Sequence, residues 1–225
     1  MIAVVYGAWG QQIDWMGENF MCKWWDEIIK TMDELNVIYC VTGEVDLFVD
    51  PENSSRLLPD KTGKDVEYVY RDLENEQELK IERYKKWEYV LEHLKTITQK
   101  PVIIHPWIEA RGESGYNFSQ KRELLSANTF QTGHDEGDED LLWKRIYDSK
   151  KRFPGVPAIN LEPYYEGIKN TFYTDAQIMA FWMSVSSGAY AICYGEMCIR
   201  DSAYCIGNFC IKRRDNRYGR GLCLS

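Results

Sequence analysis

The sequence predicts an α/β fold, an incomplete (β/α)8 TIM barrel, and three observations lead there. Short apolar runs alternate with amphipathic helices along most of the 225 residues. The runs are near-continuous in Val, Ile, Ala and Leu, as strands covered on both faces require. Polar and acidic residues stand where these runs end: Trp9, Glu44, His105, Gln131 or His134, Glu162 and Tyr194. Functional side chains drawn from many strand ends are a property of barrels. A doubly wound sheet is the other closure of repeated βα units, but no Gly-rich phosphate fingerprint follows the first strand. About six strands are legible where a barrel has eight. The chain is therefore expected to carry about strands 3–8 of a barrel and to lack the first two βα units, with Met1 not the natural start.

The elements follow in order. Residues 2–6 (IAVVY) read as a strand broken by Gly7, Ala8, Trp9 and Gly10. Between Cys22 and Leu35, Trp24, Trp25, Ile28, Ile29, Met32 and Leu35 recur at helical spacing. NVIYCVTGE at 36–44 is a short buried-type strand, and the polar, turn-rich stretch 45–76 is a long excursion after it. Residues 77–98 form a charged amphipathic helix with Leu79, Trp87, Val90, Leu91, Leu94 and Ile97 inward. PVIIHPW at 101–107 and LLSANTFQ at 124–131 are strands; a helix follows at 139–152, then strand VPAINLE at 156–162. Thr174 and Gln177 have capping-box spacing at the start of a helix running to about Ser187, and AYAICYG at 189–195 is the last strand.

Composition narrows the function classes. A 44% hydrophobic, 28% charged chain is neither disordered nor fibrous. The net charge of −8, from 35 acidic against 27 basic residues, argues against a nucleic-acid partner. No apolar run reaches the roughly 18 residues that a membrane span needs. The 8 Trp, 15 Tyr and 8 Phe serve helix packing or the aromatic walls of a sugar cleft.

Two glutamates, Glu44 and Glu162, each end a buried strand three βα units apart. Counted back from residue 195, those strands are the fourth and seventh of a barrel, whose ends face each other across its mouth. Glycosidic-bond hydrolysis needs such a pair, one carboxyl to protonate the leaving oxygen and one to meet the oxocarbenium-like centre. Their surroundings must separate their pKa values. His105, His134 and Gln131 can hydrogen-bond sugar hydroxyls or orient a carboxylate. Two His and two Glu can also hold a metal, although neither HxH nor HExxH occurs. Trp9, Trp107, Tyr164 and Tyr165 are candidates to stack on sugar faces or to pack. Asn160 is expected to face a neighbouring strand.

GAWG at 7–10, NVIYCVTGE at 36–44, His105-Pro106, QTGH at 131–134 and INLEPYYEGI at 159–168 occur in one order. Together they resemble the apiosidase-like glycoside hydrolases, a (β/α)8 family, over about residues 1–195. The resemblance implies Glu44 as acid/base and Glu162 as nucleophile of a retaining hydrolase, with Glu166 the rival for the second role. It further implies a carbohydrate substrate, substrate contacts from Trp9, His105, Trp107, Gln131, His134, Tyr165 and Glu166, no metal or other cofactor, and a periplasmic or extracellular setting. The family's Asp-Thr-x-Trp-like stretch has no counterpart here. A metal-dependent hydrolase and a non-catalytic carbohydrate-binding relic are the alternative functions.

Residues 1–196 are read as the partial catalytic domain and 197–225 as a non-native or disordered tail. MCIRDS at 197–202 is the translation of a transposon end used in sequencing libraries, and the tail concentrates Cys198, Cys205, Cys210 and Cys223 beside Lys212, Arg213 and Arg214. Their spacing fits no zinc pattern. Cys22, Cys40 and Cys193 are expected to pack as small hydrophobes.

Overall fold

The computed structural model describes residues 2–48, 75–108, 112–134, 137, 139–167 and 171–194, with the backbone of 205–206 and 209–210. Most of the predicted excursion at 45–76 and nearly all of the tail at 197–225 lie outside the described residues. Within the tail, Cys205–Ile206 and Phe209–Cys210 pair antiparallel.

The remaining elements are β1 (Ala3–Tyr6), α1 (Gln12–Met16), α2 (Glu18–Met32), β2 (Val37–Cys40), α3 (Glu76–Ile97), β3 (Val102–Ile103), α4 (Ser114–Asn117), β4 (Asn128–Gln131), α5 (Leu141–Arg152), β5 (Ala158–Glu162), α6 (Thr174–Ser186) and β6 (Ala191–Ile192). They form two parallel three-stranded sheets, β1-β2-β3 and β4-β5-β6. The α/β class and the strand order are as the sequence predicts; among the described residues the sheets do not close into a barrel.

The two sheets nevertheless share an interior. Ser126 N–H donates to the Val102 carbonyl at 2.8 Å, and the Thr129 hydroxyl donates to the Ile104 carbonyl, which ties β4 to β3. Cys40, Ile103, Ala127, Ile159 and Leu161 form one buried cluster, with Val4, Tyr6, Ile38, Ala191 and Cys193 packed on it. All six strands or their immediate flanks reach this cluster. Cys40 and Cys193 sit in it and Cys22 lies on the buried face of α2, so the three thiols pack as expected.

Alternation sends the other residues of each strand outward. Val5, Val37, Tyr39, Val41, Val102 and Ile104 pack against Met21, Trp25 and Ile29 of α2 and Trp87, Val90, Leu91 and Leu94 of α3. Leu79 is only half-buried and Ile97 is exposed, so the inward stripe of α3 is shorter than predicted. Phe130 and Ala158 pack on Ile146 of α5, while Leu142 meets Ala180 of α6.

Several local expectations are corrected. The strands are shorter than their apolar runs, although single backbone bonds such as Gly43 N–H to Ala8 O and His105 N–H to Thr42 O carry the pairing beyond them. Residues 119–124 form a 3-10 helix, so the run at 124–131 becomes a strand only at Asn128. An unpredicted helix, α1, precedes α2; Gly17 joins them at φ 77°, a left-handed value glycine adopts freely. Thr174 is not a capping residue: Tyr173 takes the N-cap position with no side-chain cap bond. The Gln177 amide instead donates to the Tyr164 and Phe172 carbonyls at 2.8 and 3.0 Å, holding the preceding loop rather than its own helix.

Candidate active site

The site lies where the first sheet's strands give way to turns. Backbone pairing continues past the strands: Gly43 N–H donates to Ala8 O at 3.0 Å, Gly10 N–H to Gly43 O at 2.8 Å, His105 N–H to Thr42 O at 3.1 Å and Val45 N–H to His105 O at 2.8 Å. These bonds bring Trp9, Glu44 and His105 abreast. Two residues of period take the interior face from Cys40 through Thr42 to Glu44, and from Ile103 to His105.

Glu162 reaches the same side by an irregularity. In β5, Ile159 and Leu161 line the interior while Ala158 packs outward, so unbroken alternation would send Glu162 outward. The β4–β5 register slips between Phe130 and Gln131: Phe130 pairs with Asn160, but Gln131 pairs with Glu162. One residue of slip reverses the face a side chain takes. The Glu162 carbonyl then accepts from Thr132 N–H at 3.0 Å and Gly133 N–H at 3.2 Å, fixing the bend. Asn160 is left facing its neighbour strand, as expected, with its amide on Thr132 Oγ1 at 3.0 Å.

Each acid has its own hydrogen-bond set. His134 Nε2 lies 2.7 Å from Glu162 Oε1, and His105 Nε2 stands 3.6 Å from Oε2. His105 is 1% exposed, its Nε2 has no hydrogen-bond partner among the described residues, and Nδ1 lies 3.5 Å from the Tyr6 hydroxyl. The Tyr165 hydroxyl also bonds Glu162, and the His134 and Tyr165 rings lie with centroids 4.3 Å apart. Across the interior, Trp9 Nε1–H donates to Glu44 Oε2 at 3.0 Å, and the Gln131 side chain, which also reaches the Pro106 carbonyl at 3.3 Å, bonds Glu44 as well.

The electrostatics separate the pair. Burial, then the nearby Glu162 charge, push the Glu44 carboxyl up to about 8, against the weaker pull of Trp9, Gln131 and their hydrogen bonds. Burial alone would raise Glu162 too. The His134 hydrogen bond, the His105 and His134 imidazoles and the Tyr165 hydroxyl outweigh it and hold Glu162 below the usual carboxylate range. His105 itself is lowered, chiefly by burial. At neutral pH the site therefore holds one carboxylic acid and one carboxylate.

Two expected contacts stand apart from the acids. Trp107 is half-buried and its backbone N–H donates to Asp46 Oδ1 at 2.7 Å. Glu166 accepts from the exposed Tyr194 hydroxyl, four residues beyond the end of β5 at Glu162. Tyr164 is core, stacked on Phe172 with centroids 4.0 Å apart. Sequence reasoning missed Tyr6 and Asp46. Tyr6 ends β1 as Glu44 follows β2, and Asp46 stands two residues beyond Glu44, so strand-end position was the available signal for both. Among the described residues, no group of three or more His, Cys, Asp or Glu side chains is arranged to hold a metal ion.

A buried acid facing a hydrogen-bonded carboxylate at parallel strand ends is the arrangement of a glycoside hydrolase-type site. A sequence model described as "Apiosidase-like, catalytic domain" matches residues 1–203, and the chain belongs to that family. No curated protein and no solved structure matches the chain. Family membership gives the domain a glycosidase character and a carbohydrate as the class of its substrate.

Proposed function

We propose that this domain is a retaining glycoside hydrolase acting on plant-type polysaccharide side chains, with its six strands forming about the third to eighth of a (β/α)8 barrel. Glu44 is the acid/base and Glu162 the nucleophile. A Glu162 oxygen attacks the anomeric carbon as the bond to the leaving oxygen breaks, and that oxygen takes the Glu44 proton. Water then attacks the same carbon, gives its proton to the Glu44 carboxylate and releases Glu162 from the ester. His134 and Tyr165 keep Glu162 ionised before attack and stabilise it as leaving group afterwards. Trp9 and Gln131 aim Glu44, the buried His105 backs the second Glu162 oxygen, and Trp107 and Glu166 complete the sugar contacts around the mouth.

The observation that carries this reading is the divided protonation of two carboxyls converging on one interior, Glu44 raised and Glu162 lowered. Retention calls for carboxyl groups roughly 5–5.5 Å apart in the productive state. The test is hydrolysis of a panel of aryl glycosides, with the first-formed product anomer read by NMR. Glu44→Gln and Glu162→Gln are each expected to lower kcat by about 10²-fold or more, with the substrate's configuration kept by the wild type. An inverted product removes the covalent step, and sugar binding without turnover by any form makes the site a lectin-like relic.

A further inference from the structure

Glu44 has φ 43°, a left-handed backbone that a side chain other than glycine or asparagine seldom takes. Such a conformation persists only where its surroundings over-determine it. The turn that follows is gripped from α3. Arg83, 1% exposed, donates through Nη1 to the Leu47 carbonyl at 2.7 Å and the Val45 carbonyl at 3.3 Å. Its Nε and Nη2 reach Asp14 Oδ2 at 2.9 and 2.7 Å, and the guanidinium lies 3.6 Å over the Phe48 ring. The next residue, Tyr84, donates its hydroxyl to Asp46 Oδ2 at 3.0 Å, and Asp46 Oδ1 accepts the Trp107 N–H. On the opposite side the turn abuts Gly10, where a Cβ would stand 2.5 Å from Val45 Cα.

We propose that Arg83, oriented by Asp14, is a positioning residue that holds the left-handed turn and thereby aims the Glu44 carboxyl into the site. A fully buried guanidinium whose donors serve an α1 carboxylate on one side and the Val45 and Leu47 carbonyls of the turn on the other is a clamp that lysine cannot reproduce, since an ammonium lacks the planar fork. Arg83 touches neither acid, so it acts only through the backbone. The inference rests on the assignment of Glu44 as the acid. Among the described residues, the charged and titratable groups around Glu44 are Glu162 of β5, Tyr165 beyond it, His105 abreast of it and paired with Glu162, Asp46 in its own turn, and Arg83 and Lys86 of α3 through Asp14.

The test follows the Glu44 carboxyl directly, by 13C NMR titration of Glu-labelled full chain, with the resonance assigned by its loss in Glu44→Gln. Arg83→Lys, Arg83→Met and Asp14→Asn are compared with Leu94→Ala, a core change on the same helix. The clamp variants are expected to bring the Glu44 titration down by at least tenfold in proton affinity as the turn opens to water, and to lower kcat more than KM on any aryl glycoside cleaved. Leu94→Ala is expected to lower Tm while leaving the Glu44 titration in place. Folded clamp variants that titrate like wild type overturn the proposal, as does an equal shift in Leu94→Ala. Should Arg83→Met not fold, Arg83→Lys and Asp14→Asn decide. If Glu44→Gln keeps full activity while the clamp variants still move the titration, the catalytic assignment fails and the clamp stands.

Discussion

At the scale of single residues, the site is an exercise in giving two chemically identical groups different lives. Both glutamates lose water. Only Glu162 is compensated by imidazoles and a phenol, so only Glu162 stays charged. The consequence for stability has a sign. Glu44 holds its proton more tightly folded than unfolded, so the unfolded chain releases it first and stability declines as pH rises from about 4.5 to about 8. Glu44→Gln, which cannot ionise, is therefore expected to gain on wild type as pH rises through that range; urea denaturation at pH 5 and pH 9 checks it. A constant difference between the two forms across that range contradicts the raised carboxyl. The two acids were legible in the sequence as residues ending apolar runs. Their neighbours were legible only as types: His105 and His134 could equally have met sugar or a carboxylate, and the structure puts their Nε2 atoms 3.6 and 2.7 Å from Glu162.

At the scale of elements, order was readable and boundaries were not. Alternating apolar runs and helical stripes report which face is dry, and that is why β1 to β6 and the long helices were found in sequence order. Where a strand stops is decided by neighbours. The register slip in β5 has no signature in AINLE, yet without it Glu162 would leave the interior. The αL backbone at Glu44 is equally silent, because nothing in TGEVD distinguishes it from an ordinary turn. The Thr174–Gln177 spacing misled because the Gln177 amide bonds the Tyr164 and Phe172 carbonyls of the preceding loop and leaves the helix without a side-chain cap bond. Gly10 is the element-scale test. Its backbone lies against the Glu44–Val45 peptide, and the Trp87 indole donates to its carbonyl at 3.0 Å. Gly10→Ala is expected to cost about 1–3 kcal/mol through overpacking and to lower kcat by displacing Glu44, read by thermal melting and initial rates. An unchanged Tm contradicts the close approach.

At the scale of the molecule, the question is whether two three-stranded sheets behave as one body. Their shared interior says that they do: Leu161 of the second sheet is 1% exposed in a cluster with Cys40 and Ile103 of the first. Leu161→Ala is expected to destabilise the whole by about 2–5 kcal/mol, with tryptophan fluorescence and far-ultraviolet circular dichroism unfolding together. Two separated transitions would mean that the sheets fold independently. The sequence could count the strands and raise the expectation that they are about the third to eighth of a barrel; the described residues show two parallel sheets. It could not say how the described strands meet, because closure depends on long-range pairing that no local pattern encodes.

The divided protonation of Glu44 and Glu162 is most directly tested by 13C NMR titration of both carboxyls in the wild-type chain, with each resonance assigned by its Gln variant. Expected is a Glu44 signal that stays protonated to about pH 8 beside a Glu162 signal already ionised below the ordinary carboxylate range. Two carboxyls titrating together near the value of a free glutamate would contradict it.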